Sequence, residues 1–114
     1  MKRFLIALLA ALALPTTVNA ELNNDYILKV KQSNKLLREG KFSEIETICD
    51  ELIETAPEIS YGYVCKGIAL GFVSKNKRKS REALKNFTKA IEIEPENYEA
   101  YFLRGKLQFT MRRR

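Results

Sequence analysis

Ser60-Tyr61-Gly62-Tyr63-Val64-Cys65-Lys66-Gly67 returns 38 residues later as Tyr98-Glu99-Ala100-Tyr101-Phe102-Leu103-Arg104-Gly105. In both copies an aromatic residue is followed, four positions on, by a glycine that a basic residue precedes. The segments just upstream repeat as well. Ile45–Pro57 and Ala83–Pro95 align Glu44 with Glu82, Cys49 with Phe87, Leu52 with Ala90 and Pro57 with Pro95. Proline has no amide hydrogen to offer a helix, so each one closes a helix before the next begins. Gly67 and Gly105 leave room for a neighbouring helix, Ala83 and Ala90 receive it, and Tyr63 and Phe87 fill the space on either side. One helix pair of this kind cannot bury both its faces, so successive pairs must stack.

Helical spacing of apolar residues extends over the rest of the chain from Asp25 onward. Period-two alternation and Asn-Gly or Asp-Gly hairpin signals do not occur there. Five helices are predicted. The first covers about Tyr26–Arg38, carries Ile27, Val30 and Leu37, and stops at Gly40, which can take the left-handed conformation. Ser43 and Glu46 form a capping box that opens the second, which runs through about Thr55. The third spans about Ser60–Val73. The polar, basic stretch Ser74–Lys79 precedes the fourth, with Ser80 as its N-cap and Glu82 in its first turn. The fifth runs from about Asn97 nearly to the end.

This helix–turn–helix frame resembles the tetratricopeptide repeat, whose unit is about 34 residues long. The unit at about 60–97 has Tyr63, Gly67, Ala83, Phe87, Ala90 and Pro95 at the family's preferred positions. It needs about four extra residues between its helices, in Ser74–Lys79. The unit at about 26–59 keeps Gly40, Phe42 and Pro57. It has Lys29 and Ser33 in place of the aromatic residue and glycine, and Ile45 in place of a small residue. A partial unit, 98–114, ends after its first helix. The resemblance implies an all-α domain over residues 21–114: a stack of antiparallel helix pairs, as a five-helix fragment of a right-handed α-solenoid. Three units are the usual minimum for such a stack, so two and a half leave it marginal.

On a helical wheel, Ala100, Leu103, Leu107 and Met111 share one side and should pack on the preceding helix. Tyr101, Gly105 and Gln108 face the direction that a sixth helix would cover. Phe102 and Phe109 belong to neither face. In the family that direction is the concave groove where peptides bind, so the resemblance implies a groove lined by Asn34, Tyr61, Val64, Ile68, Phe102, Lys106 and Phe109. In so small a protein the same residues could instead complete the core. The clamp with which some members grip a terminal carboxylate is not expected. Asn34 alone matches it, with Val30, Cys65, Glu99 and Leu103 at its other positions.

The chain has 114 residues, 46% apolar and 30% charged, with five Gly and three Pro, a composition that excludes disorder and low complexity. There is no His, which excludes a His-based triad, a His metal site and a histidine pH switch. No phosphate loop, nucleophile elbow or metal-ligand spacing occurs, so neither enzymatic activity nor a metal or cofactor is expected. The carboxylates are scattered as solvated residues are. The net charge is +6. The densest basic segment, Lys75–Lys89, reads foremost as a wet loop and helix face. Contact with a membrane surface is the less favoured reading, because no aromatic residue interleaves these charges before Phe87. Arg112–Arg114 suits the negative end of the last helix. No nucleic-acid partner is expected.

Cys49 and Cys65 fall on helices that should be neighbours. They either bridge, closing a loop of about 16 residues worth about 3 kcal/mol in an oxidising compartment, or remain buried thiols.

Residues 1–20 have the order of a secretory signal: Lys2 and Arg3, the apolar run Phe4–Leu14, the breaker Pro15, and Val18-Asn19-Ala20 before the cleavage point. The apolar run is too short for a lasting membrane span. An exported protein, periplasmic or secreted, beginning at Glu21 is expected. The leading functional expectation is an interaction module that presents a partly apolar groove to a protein partner. The alternative is a structural envelope component or secreted factor that self-associates through its C-terminal helix.

Overall fold

The computed structural model describes residues 16–73 and 75–114, with side chains from Asn24 onward. The charged and apolar parts of the expected signal, Lys2 to Leu14, lie outside the described residues. Among the described residues five α-helices follow one another: α1 Thr16–Glu39, α2 Phe42–Thr55, α3 Tyr61–Gly71, α4 Lys77–Ile93 and α5 Tyr98–Arg112. Each packs on the next, and α3 also touches α5. The result is an all-α five-helix bundle.

The breaks between helices have local causes. At the end of α1, Gly40 takes φ +72°, and Gly40 and Lys41 donate their amides to Leu37 and Leu36. That double closure satisfies carbonyls the helix end would otherwise leave open. The two proline turns are built alike. Ala56 and Ile59 donate to the carbonyls of Leu52 and Ala56, and 38 residues later Glu94 and Asn97 donate to Ala90 and Glu94.

Several helix starts differ from the sequence expectation. The helix expected from Tyr26 already begins at Thr16 and runs through the expected cleavage point at Ala20. Nothing between Thr16 and Tyr26 breaks a helix, and once the docked part has nucleated, each added residue costs little. At the start of α2, Ser43 lies inside the helix, behind Lys41, and no side chain caps it. The expected capping box is not formed. At α4 the cap is Asn76, whose side-chain oxygen accepts from the amides of Arg78 and Lys79 at 2.8 and 3.1 Å. Ser80, expected as that cap, is instead fully buried one turn further on and accepts from Arg114 Nη1 at 2.7 Å.

The core lies on the two sides of α3. On one, Ile45, Cys49 and Leu52 of α2 meet Cys65 and Ala69, and Tyr26, Val30 and Leu37 of α1 close the cluster. On the other, Val64 and Leu70 meet Ala83, Phe87 and Ala90 of α4 and Ala100 and Leu107 of α5. Small residues let α3 be enclosed this way. A methyl group on Gly67 would stand 2.5 Å from the Phe87 ring, and one on Gly71 would stand 2.8 Å from Leu107. Ser33, in place of the first unit's glycine, is fully buried, and its hydroxyl is paired with the Val30 carbonyl at 2.7 Å.

Candidate functional site: the valley between α3 and α5

The seven residues expected to line a groove divide into two groups. Val64 is only 3% exposed and belongs mainly to the core, reaching the valley only at the floor of one cleft. Ile68 is half-buried against the same core. Tyr61 is half-buried on the other side of α3, and its hydroxyl donates to Asn34 Oδ1 at 3.0 Å with Ser33 Oγ equally close. Asn34 therefore serves to join α1 to α3. The α5 members remain available. Phe102 is 68% and Phe109 57% exposed, and Lys106 Nζ stands 5.6 Å above the centre of the Phe72 ring. The choice between core and groove thus falls helix by helix. α3 lies between two packing partners, whereas α5 has a partner on one side only.

Two clefts open along this valley. At the N-terminal ends of α3 and α5, a cleft of about 490 Å³ has Tyr61, Val64 and Ile93 as its apolar part and Glu58, Glu94 and Glu99 as its acids. Ser60 anchors it. Its hydroxyl donates to Glu94 Oε1 at 2.7 Å and accepts from Asn97 Nδ2 at 3.0 Å, while Asn97 Oδ1 caps α5 through the Ala100 amide. One asparagine therefore both starts α5 and ties its first turn to α3. At the C-terminal ends, a cleft of about 660 Å³ is lined by Phe72, Val73 and Phe109 with Lys75, Arg113 and Arg114. The guanidinium of Arg113 lies 5.5 Å above the Phe109 ring. The valley is acidic at one end and basic at the other, with Phe72 and Phe109 facing each other across the basic end.

The basic end joins two charge clusters that sequence reading treated separately. Arg114 reaches across to Ser80, which brings Arg112–Arg114 beside the first turn of α4 and its Lys77, Arg78 and Lys79. Sequence reasoning also passed over Tyr98, which stands 79% exposed at the start of α5. The wheel position of Tyr98 on the open side of α5, one turn before Tyr101, was the signal that could have found it.

The cysteines lie on the opposite side of α3, in the core it shares with α2. Cys49 and Cys65 form a disulfide between α2 and α3, with Cα atoms 5.6 Å apart and both residues buried. Close by, Lys66 Nζ pairs with Asp50 Oδ1 at 2.7 Å, and that bond raises the lysine's pKa. Tyr26 has the most perturbed phenol. Burial first, then the neighbouring Tyr61 and Glu58, push its pKa up to about 12, and its hydroxyl has no partner among the described residues.

Among the described residues, no group of three or more acids and cysteines is placed to hold a metal ion, and no helix is long and apolar enough to cross a membrane. No protein-family model, curated protein or solved structure matches this chain.

Proposed function

We propose that this chain is a tetratricopeptide-like interaction module, exported to the periplasm or beyond, that binds a polypeptide segment of a protein partner in the valley between α3 and α5. The observation that carries this reading is the pair of exposed rings, Phe102 and Phe109, on a helix whose packing side is already filled by Ala100 and Leu107. Phe109 lines the cleft at the basic end with Phe72 and Val73, Phe102 stands two turns before it on the same helix, and exposed aromatic residues of this kind are typical hot-spot chemistry. The charge of the valley specifies the ligand further. A segment with apolar side chains in its middle, basic groups toward Glu58, Glu94 and Glu99, and acidic groups toward Lys75, Arg113 and Arg114 complements it throughout.

The test is replacement of both rings, Phe102→Ser with Phe109→Ser, followed by quantitative capture of the partner from cell envelopes. Burying side chains of this size contributes about 1.5–3 kcal/mol each, so capture should fall well over tenfold with helix content unchanged. Undiminished capture would place the contact elsewhere, and unfolding would show that the rings belong to the core. Export is tested separately, by the intact mass of the protein recovered from the envelope. A chain that keeps Met1 or Lys2 would refute cleavage after Ala20.

A further inference from the structure

Among the described residues, no helix packs on the side of α5 opposite α4. Gly67 and Gly105 hold the same place in the repeated segment, yet their surroundings differ completely. A methyl group on Gly67 would collide with Phe87 of α4, whereas one on Gly105 would meet nothing within 4 Å. The notch that α4 fills at α3 is therefore empty at α5. The residues around it are exposed: Tyr98 at 79%, Tyr101 at 44%, and Gln108 and Arg112 further along.

We propose that a second copy of this chain fills that notch, with the two α5 helices antiparallel and Gly105 of each at the crossing point. Three observations select this occupant and this direction. First, Gly105 is the midpoint of α5, seven residues from both Tyr98 and Arg112. A two-fold axis there brings the two helices together where neither has a side chain to keep them apart, and such an isologous contact is self-complementary. Second, antiparallel pairing sets Tyr98 of one copy level with Arg112 of the other, and Tyr101 level with Phe109. Rings thereby meet rings, and a guanidinium meets a phenol face. Arg104 and Arg113 already sit over Tyr101 and Phe109 within one chain, so these rings accept cations. Third, the charges along α5 are polarised. Glu99 in its first turn and Glu94 and Glu96 in the turn before it gather at its start, and Lys106 and Arg112–Arg114 toward its end. Antiparallel copies set each acidic end against a basic end. Parallel copies would set arginines against arginines, which is repulsive. The pairing shares Phe109 with the proposed groove but is centred on Gly105, so its decisive variant, Gly105→Leu, leaves both Phe102 and Phe109 in place and its failure is distinguishable from failure of the groove reading.

The experiment is sedimentation equilibrium of the full chain across a concentration series, at low and at high salt, with circular dichroism of every variant. The expected result is a reversible monomer–dimer equilibrium that weakens as salt rises. Gly105→Leu is the decisive variant. Its side chain enters open space in the monomer, so helix content should hold while the dimer is lost at every concentration. Arg112→Glu should weaken the dimer at least tenfold, and adding Glu96→Lys and Glu99→Lys to it should restore most of the affinity. A wild-type chain that stays monomeric throughout would overturn the proposal. So would a Gly105→Leu chain that still dimerises or that unfolds, because either result removes Gly105 from an open crossing point. Failure of the charge reversals to restore affinity would overturn the antiparallel direction.

Discussion

Two alanine substitutions, 38 residues apart at equivalent positions, should move stability in opposite directions. At Gly67, the added carbon would lie 2.5, 2.7 and 2.8 Å from three atoms of the Phe87 ring. Carbon atoms rest at about 3.5–4.0 Å, so the ring must retreat by roughly 1 Å. Phe87 is fully buried among α3, α4 and α5 and has little space to retreat into. Overpacking of this kind costs about 1–3 kcal/mol, and a rigid, enclosed ring belongs at the upper end. Replacing a mid-helix glycine returns about 0.8–1.0 kcal/mol, which leaves Gly67→Ala less stable by about 2 kcal/mol. At Gly105 nothing lies within 4 Å, so Gly105→Ala keeps the whole helix-propensity gain. For a domain of this size each kcal/mol moves Tm by about 4–8 °C. Gly67→Ala should therefore melt about 8–16 °C lower than wild type, and Gly105→Ala about 4–8 °C higher. Thermal unfolding followed by circular dichroism, at a concentration where a single chain sediments, measures both. Shifts of the same sign would refute the reasoning, because the argument rests on one glycine being enclosed and the other open.

Loss of the Cys49–Cys65 bridge, by Cys49→Ala with Cys65→Ala, should cost about 3 kcal/mol for a loop of this length, read as a lower denaturant midpoint. An unchanged midpoint would show that the bridge does not stabilise the protein. Tyr26→Phe removes a buried hydroxyl without a partner among the described residues and should stabilise the protein at neutral pH by about 1 kcal/mol or more. Its advantage should grow with alkalinity. The folded state holds the Tyr26 proton to about pH 12 while the unfolded chain releases it near 10, so wild-type stability falls across that window. A constant difference between variant and wild type from pH 9 to 12 would contradict this. Asp50→Asn should cost only about 0.2–1 kcal/mol, because the Asp50–Lys66 pair is partly exposed. A larger loss in a urea titration would mean that the pair also fixes the packing of α2 on α3.

The helical class, the five segments and the two proline turns were legible in the sequence, because each depends on local chemistry. Pro57 and Pro95 stop a helix wherever they stand, Gly40 permits the left-handed closure, and the repeat of small and aromatic residues marks which faces approach each other. Helix starts were less legible. Asn76 and Ser80 are both capable caps for α4, and the choice between them follows from which side chain the stack buries. Ser80 is enclosed and taken by Arg114, so Asn76 caps α4. The site was decided almost wholly by tertiary structure. A helical wheel gives Val64 and Phe102 the same kind of direction, yet one is buried and the other exposed, because α3 has neighbours on both sides and α5 on one. The meeting of Arg112–Arg114 with the start of α4 joins residues more than 30 apart, which local pattern does not encode. Sequence alone determined what each helix could bury; the order in which the helices stack decided which of those faces met a partner and which, around Gly105, did not.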